Sequence, residues 1–271
     1  MSSQIQFFKK NIIDLDNTQV TITATDSVAT SAGDTITDLL RNRKNTSSWV
    51  TTGSDDTGNT TLIVDWSSAR DIDHIILVNH NFKAYTIKYW DGATYTDFPS
   101  AISSTNDTET TTKYEVTSTS TSKIQIIITG TQIADSEKIM AQLIITEELG
   151  QFDGWPIVSN PTLSKNRQIT TMLSGKKNIV DSVGFFSCSL SVENLKNDAD
   201  LTLIESIYNR PEGVLLWLCG GDEAQFSSVR QGWRKQDLFL VRPSDELNNE
   251  FSKGLYVTGI KVQITLQEVI R

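Results

Sequence analysis

Apolar and polar residues alternate, or gather in short apolar runs, through most of the first 150 positions. "QVTITATD" at 19–26 and "SKIQIIITG" at 122–130 alternate, and "AYTIKYWDG" at 84–92 alternates up to Asp91-Gly92, a strong hairpin-turn signal. "TLIVDW" at 61–66, "HIILVNH" at 74–80 and "IMAQLIITEELG" at 139–150 are compact apolar runs of strand length. Short strands at this spacing, divided by polar turns, predict a β-sandwich. One short helix is expected in "AGDTITDLLRNR", with Asp34 as its cap and Ile36, Leu39 and Leu40 turned inward. Residues 100–122 hold 14 Ser or Thr in 23 positions and read as an exposed loop or weak hairpin.

The pattern changes after "FDGWPIVSNPT" at 152–162, whose two prolines mark a domain entry. In "GFFSCSLSVENL", Phe186, Cys188, Leu190 and Val192 alternate with serines, a half-buried strand that places Cys188 in a core. "NDADLTLIESIYNRPEG" predicts a helix capped by Asp198 or Asp200, with Leu201, Ile204, Ile207 and Tyr208 as its inward stripe and Pro211 as its stop. "GVLLWLCGG" and "DLFLVRP" read as strands. The final strand, 259–270, turns Ile260, Val262, Ile264 and Leu266 to one side, and its clean alternation suits an edge that pairs with another subunit. The expected architecture is mainly β: an N-terminal β-sandwich over residues 1–150, followed by a smaller α+β domain with one inserted helix over residues 151–271.

Charge separates the two parts. The chain carries a net charge of −9; residues 1–150 hold 11 Lys/Arg against 19 Asp/Glu, and residues 151–271 hold 13 against 14. An acidic first half argues against nucleic acid as a partner, since phosphate binding draws on Lys and Arg. No run of 18 apolar residues suggests a membrane helix, and the first residues, "MSSQIQFFKKNIIDLDN", do not read as a signal peptide. Cys188 and Cys219 are therefore expected as reduced thiols.

The candidate chemistry is sparse. Both histidines, His74 and His80, fall in "DIDHIILVNH", with Asp71 and Asp73 beside them. On a regular strand Ile72, His74, Ile76, Val78 and His80 share one face, and the two rings stand roughly 20 Å apart, too far for one metal ion. They read as scaffold, so no metal, cofactor or catalytic residue is expected. In "CGGDEAQFSSVRQGWRKQD" the adjacent Asp222 and Glu223 point apart on an extended chain, and Gly220-Gly221 lacks the Lys-Ser/Thr of a phosphate loop. That loop offers Arg230, Trp233 and Arg234, residue types that favour a subunit interface.

Taken in order, "NTSSWV", "LIVDW", "IDHIILVNHN", "YTIKYWDGATYTDF", "SKIQIIITG" and "KIMAQLIITEELG" resemble the discoidin or galactose-binding-like jelly roll over residues 15–150. Asp65-Trp66-Ser67 replaces that family's usual Asp-Leu-Gly, and the bracketing cysteines of its secreted members are missing. The resemblance implies glycan or lipid recognition by loops at one end of the sandwich. Those loops vary too freely to carry ligand residues over; Trp49 and Trp66 are this chain's own candidates for an aromatic sugar platform, with core or rim plugs as the plainer reading. The pairing of such a sandwich with a small α+β domain resembles tailed-bacteriophage structural proteins of tail, baseplate and neck. That resemblance implies a non-enzymatic, tail-associated virion component, made in the host cytoplasm. Its partners would be copies of itself in a ring, other virion proteins and a host surface glycan met by an outward-projecting sandwich. The alternative is a carbohydrate-binding or adhesion module.

Overall fold

Thr, Val, Ile and aromatic residues, which fit a pleated half-buried surface, fill the extended segments of both parts of the chain. A computed structural model describes residues 5–14, 19–26, 35–41, 48–52, 58–152, 157–171, 177–195, 198–217, 238–244, 248–251 and 260–269. The protein is mainly β and divides into two units. One comprises Asn11–Glu148; the other joins Met1–Lys10 to Leu149–Arg271.

The Asn11–Glu148 unit is the sandwich. Its strands are β2 (Val20–Ala24), β3 (Trp49–Val50), β4 (Thr60–His80), β5 (Phe82–Trp90), β6 (Tyr95–Ser104), β7 (Thr112–Thr131) and β8 (Ile139–Thr146), hydrogen-bonded in the order β3-β8-β4-β7-β5-β6, with β2 on β4. β4 is one 21-residue strand where the sequence suggests two. Its first part pairs with β2 and with the second half of β7; its last part pairs with β8 and with the start of β7. Between these parts the β4–β7 register slips from Asp65 to Arg70, and 67–71 are exposed. The long β4–β7 pair thus serves both layers, and Leu62, Val64, Trp66, Ile124, Ile126 and Ile128 meet Ile75, Leu77, Leu143 and Ile145 in one core. Much of the Ser/Thr-rich segment lies in β6 and β7, with 105–111 as the connection between them, since threonine is a good strand former. The helix α1 (Ile36–Leu40) buries Leu39 and Leu40 as expected. Its cap is Thr35, not Asp34: the Thr35 hydroxyl accepts from Asp38 N, and the Asp38 carboxylate accepts from Thr35 N, a reciprocal capping box.

The other unit contains an eight-stranded sheet in the order β10-β11-β15-β13-β12-β1-β9, with β14 also on β15. Its members are β1 (Gln6–Phe8), β9 (Glu148–Gln151), β10 (Ile157–Thr171), β11 (Lys177–Leu195), β12 (Val214–Trp217), β13 (Leu238–Pro243), β14 (Asn248–Phe251) and β15 (Ile260–Glu268). The first ten residues belong here because β1 pairs with β12, Phe7 opposite Leu216. A three-residue strand has too little alternation to announce itself. β15 buries Val262, Ile264 and Leu266 as its alternation predicts, but it is not an edge: β11, β13 and β14 all pair with it. The helix α2 (Asp198–Tyr208) turns Leu203, Ile204 and Ile207 into the core, with Leu201 and Tyr208 partly buried beside them, so the stripe is centred on Leu203 rather than Leu201. Cys188 is a buried free thiol, pushed up to about 12 by burial. Cys219 lies outside the described residues.

Candidate functional site

The two histidines lie on opposite sides of β4, not on one face. A register slip between Ile72 and His74 is followed by Asn79 in the left-handed region at φ 48°. The turn of the backbone at Asn79 brings the His80 ring into the sandwich core, 5.1 Å from Phe82 and 5.9 Å from Tyr85. His74 Nδ1 stands 2.7 Å from the Asp73 carboxylate, whose Oδ1 also accepts from Glu148 N. Each ring therefore has its own partners. Among the described residues no three His, Cys, Asp or Glu side chains are placed to hold a metal ion.

His80 belongs to a buried chain of hydrogen bonds. Phe82 N donates to His80 Nδ1 (3.1 Å), so the ring proton sits on Nε2 and is donated to Thr112 Oγ1 (3.0 Å). Thr112 Oγ1 donates to Asp107 Oδ2 (2.8 Å); the Tyr85 hydroxyl donates to the same oxygen and accepts from the Tyr114 hydroxyl (2.7 Å). Glu109 N donates to the other oxygen, Asp107 Oδ1. Burial pushes His80 down to about 4 and Tyr85 far above the usual phenol range. Burial raises the Asp107 carboxyl, but the hydrogen bonds from Tyr85, Glu109 N and Thr112 outweigh it and hold it below the usual range. The His80 side chain is 0% exposed, so no substrate reaches the imidazole. This network fastens the segment between β6 and β7 onto the sheet.

Trp49 and Trp66, the sugar-platform candidates, are core residues, 0% and 1% exposed. Trp49 packs edge-on to Phe82, and Trp66 Nε1 donates to Thr121 O (2.9 Å). Neither ring offers a face to a ligand. Arg230, Trp233 and Arg234 lie outside the described residues.

The accessible aromatics are elsewhere. In β5, Tyr85 and Ile87 point to the core, so Lys88 and Trp90 stand on the outer face. The Asp91–Thr94 turn returns the chain with Tyr95 opposite Trp90: Asp91 Oδ1 accepts from Ala93 N and Thr94 N, and Gly92 takes φ 106°. In β7, Ile124 is buried and Lys123 points outward; in β4, Val64 and Trp66 are buried and Asp65 points outward, opposite Lys123. Four strands in sequence across the sheet thus present Asp65, Lys123, Trp90 and Tyr95 as one transverse row. Lys123 Nζ is 2.7 Å from Asp65 Oδ2 and 5.7 Å from the Trp90 ring centroid; the Trp90 and Tyr95 rings are 5.1 Å apart at 65°. The hydrogen bond to Asp65 holds the Lys123 ammonium above its usual range, and partial burial does the same to the Tyr95 phenol. A second row follows two residues along, Ile63, Gln125, Lys88 and Asp97, with Lys88 Nζ 3.5 Å from Asp97 Oδ1. All eight side chains are at least partly exposed.

This face forms no local motif because its members are spread from Ile63 to Gln125 in sequence. The signal for half of it was nonetheless present: alternation in "YTIKYWDGATY" sets Trp90 opposite to the core-facing tyrosines.

No protein-family model matches the sequence, and no curated protein does. Solved structures of low similarity do align with about half of it. A CBM32 module from Clostridium perfringens, in complex with GalNAc-β-1,3-galactose, is 14% identical with a TM-score of 0.38, covering 46% of this chain and 94% of that one. Chitosan-binding module 1 of a chitosanase/glucanase from Paenibacillus sp. IK-5 is 15% identical with a TM-score of 0.39, covering 47% and 94%. A GH29 fucosidase from Ruminococcus gnavus, in complex with fucose, is 10% identical with a TM-score of 0.42; 51% of this chain aligns with 27% of the fucosidase.

Proposed function

We propose that the sandwich unit binds carbohydrate, on the outer face of its sheet rather than on Trp49 and Trp66. The observation that supports this reading is the row Asp65, Lys123, Trp90 and Tyr95. A pyranose ring has an apolar C–H face and a rim of hydroxyls, each both donor and acceptor. Trp90 and Tyr95 supply apolar surface with a polar handle. Beside them, Asp65 supplies acceptors and Lys123 donors, in charge-assisted form. The same face holds no nucleophile paired with a base, so the role is binding. Trp90→Ala in the full chain is expected to weaken binding on a glycan array or by calorimetry about tenfold, the equivalent of about 1.4 kcal/mol. Its melting temperature should stay within about 2 °C of wild type, as for surface substitutions. Unchanged affinity in this variant would move the ligand elsewhere.

A second reading concerns the other unit, and a different observation favours it. β10 and β11 pair from Ile157↔Ser191 to Thr171↔Lys177, with register slips after Ser159 and Ser164, but among the described residues β15 covers β11 only from Ser187 to Leu195. Residues 163–171 and 177–186 therefore form, among the described residues, a two-stranded ribbon that outruns the sheet. An isolated ribbon of this kind is marginal in water and gains from pairing with another chain. This supports a self-assembling structural role, of the kind the resemblance to tailed-phage virion proteins implies, with the Arg230, Trp233 and Arg234 loop as a further contact. Size-exclusion chromatography with light scattering is expected to give a discrete closed oligomer, weakened by the double variant Trp233→Ala, Arg234→Ala. A monomer at high concentration removes this reading and leaves the first intact.

A further inference from the structure

The outer face of the sandwich also specifies what kind of carbohydrate it would take. Resting on the carbohydrate-binding reading above, we infer that the ligand is a neutral, linear oligosaccharide of about three pyranose units lying across the strands.

Length follows from the lattice. Asp65, Lys123, Trp90 and Tyr95 stand on four neighbouring strands, β4, β7, β5 and β6. Three interstrand steps at about 4.8 Å make a row of about 14 Å, the span of about three pyranose rings. The second row, Ile63, Gln125, Lys88 and Asp97, runs parallel to the first along the next outward-facing positions. A saccharide chain on the first row thus has hydroxyl partners along one flank at Gln125, Lys88 and Asp97, with apolar Ile63 at the β4 end. A monosaccharide would touch only one or two of the eight side chains.

Charge decides the class. Both cations on the face are already compensated, Lys123 by Asp65 at 2.7 Å and Lys88 by Asp97 at 3.5 Å. An anionic sugar would have to displace one of these carboxylates. It would do so on a unit, Asn11–Glu148, that holds nine Lys/Arg against nineteen Asp/Glu, a net −10. That surplus repels uronate or sialate at a distance. A cationic amino sugar is attracted at a distance, but at the centre of the face it meets Lys123 on β7 and Lys88 on β5, the two inner strands of the four. The carboxylates that would favour it, Asp65 and Asp97, sit on the flanking strands and are engaged. A neutral chain needs neither rearrangement: its hydroxyls share the exposed donors and acceptors as they stand.

The test uses the full chain and three matched sets of probes: neutral hexose and N-acetylhexosamine oligomers, deacetylated glucosamine oligomers, and oligogalacturonates, each from one to six units. Affinity for a neutral set is expected to rise with each unit up to about three and then level, with the charged sets at least tenfold weaker at equal length. The double variant Lys88→Gln, Lys123→Gln removes the central ammonium groups and is expected to admit the glucosamine oligomers, a gain that unfolding cannot mimic. Equal binding of a charged set by wild type, or full affinity for single sugars, overturns this inference and leaves carbohydrate binding standing. Failure of every set to bind overturns both.

Discussion

Replacing Trp66 with alanine is expected to destabilise the sandwich by about 3–5 kcal/mol, the range for removing a large aromatic from a packed core. Three features set that size. The side chain is 1% exposed and sits among Leu62, Val64, Ile124 and Ile126 of one continuous cluster. Its indole N–H donates to Thr121 O, a carbonyl next to the point where the β4–β7 register slips. Deleting the ring leaves that buried carbonyl short of a donor as well as leaving a cavity. Thr121 is itself tied to the outer face, donating to Trp90 O and accepting from Lys123 N, so the disturbance reaches the candidate ligand face. Equilibrium denaturation by urea, followed by tryptophan fluorescence and circular dichroism, measures the loss. A change below about 1 kcal/mol would mean that the ring is not the core plug described here. The contrast with Trp90→Ala, which is expected to alter binding with little change in stability, separates the two tryptophans by what each touches.

That contrast also marks how far the sequence could be read. Strand identity was legible wherever alternation ran for five residues or more: Val20 to Ala24, Phe82 to Trp90, Lys123 to Gly130 and Ile260 to Gln267 all carry it. The mainly β class followed from the same signal, and the place of α2 from the helical spacing of Ile204, Ile207 and Tyr208 between an Asp cap and Pro211. What alternation cannot carry is its own interruption. Asn79 at φ 48° costs a non-glycine residue little because asparagine tolerates that region, and it reverses the side on which His80 emerges. The reading of His74 and His80 as sharing one face therefore failed at a single backbone angle. The membership of residues 1–10 failed for a different reason: it depends on pairing between Phe7 and Leu216, more than 200 positions away, and nothing local encodes it. Trp49 and Trp66 drew attention as aromatics near a familiar-looking motif, but periodicity already placed Trp66 in phase with Leu62 and Val64, which is the phase of the core. Trp90 is out of phase with Tyr85 and Ile87 and therefore faces outward. Phase was the better guide to the candidate site than motif likeness.

The His80 network predicts a second large effect, a loss of stability in mild acid. His80 is pushed down to about 4 in the folded chain, because burial disfavours the charged ring and the nearby Asp107 carboxylate only partly offsets it. In the unfolded chain the imidazole titrates near its ordinary value of 6.5. Between these two values the unfolded state binds a proton that the folded state refuses, so acid favours unfolding. The effect is absent above about pH 6.5, grows as pH falls toward 4, and is constant below that. A separation of about 2.5 pK units corresponds to about 3 kcal/mol. Asp107, held below the usual carboxylate range, acts in the same direction but at lower pH: its contribution is present above its unfolded value and fades as pH falls through its folded one. The measurement is the free energy of urea unfolding at pH 7 and at pH 4.5 for wild type and His80→Gln. Glutamine can still accept from Phe82 N or donate to Thr112, but it does not titrate. Wild type is expected to lose about 2–3 kcal/mol more than the variant over that interval. Equal losses in the two proteins would show that the imidazole is protonated as easily inside the sandwich as outside it, and the closed hydrogen-bond chain from His80 through Thr112 to Asp107 would then be wrong.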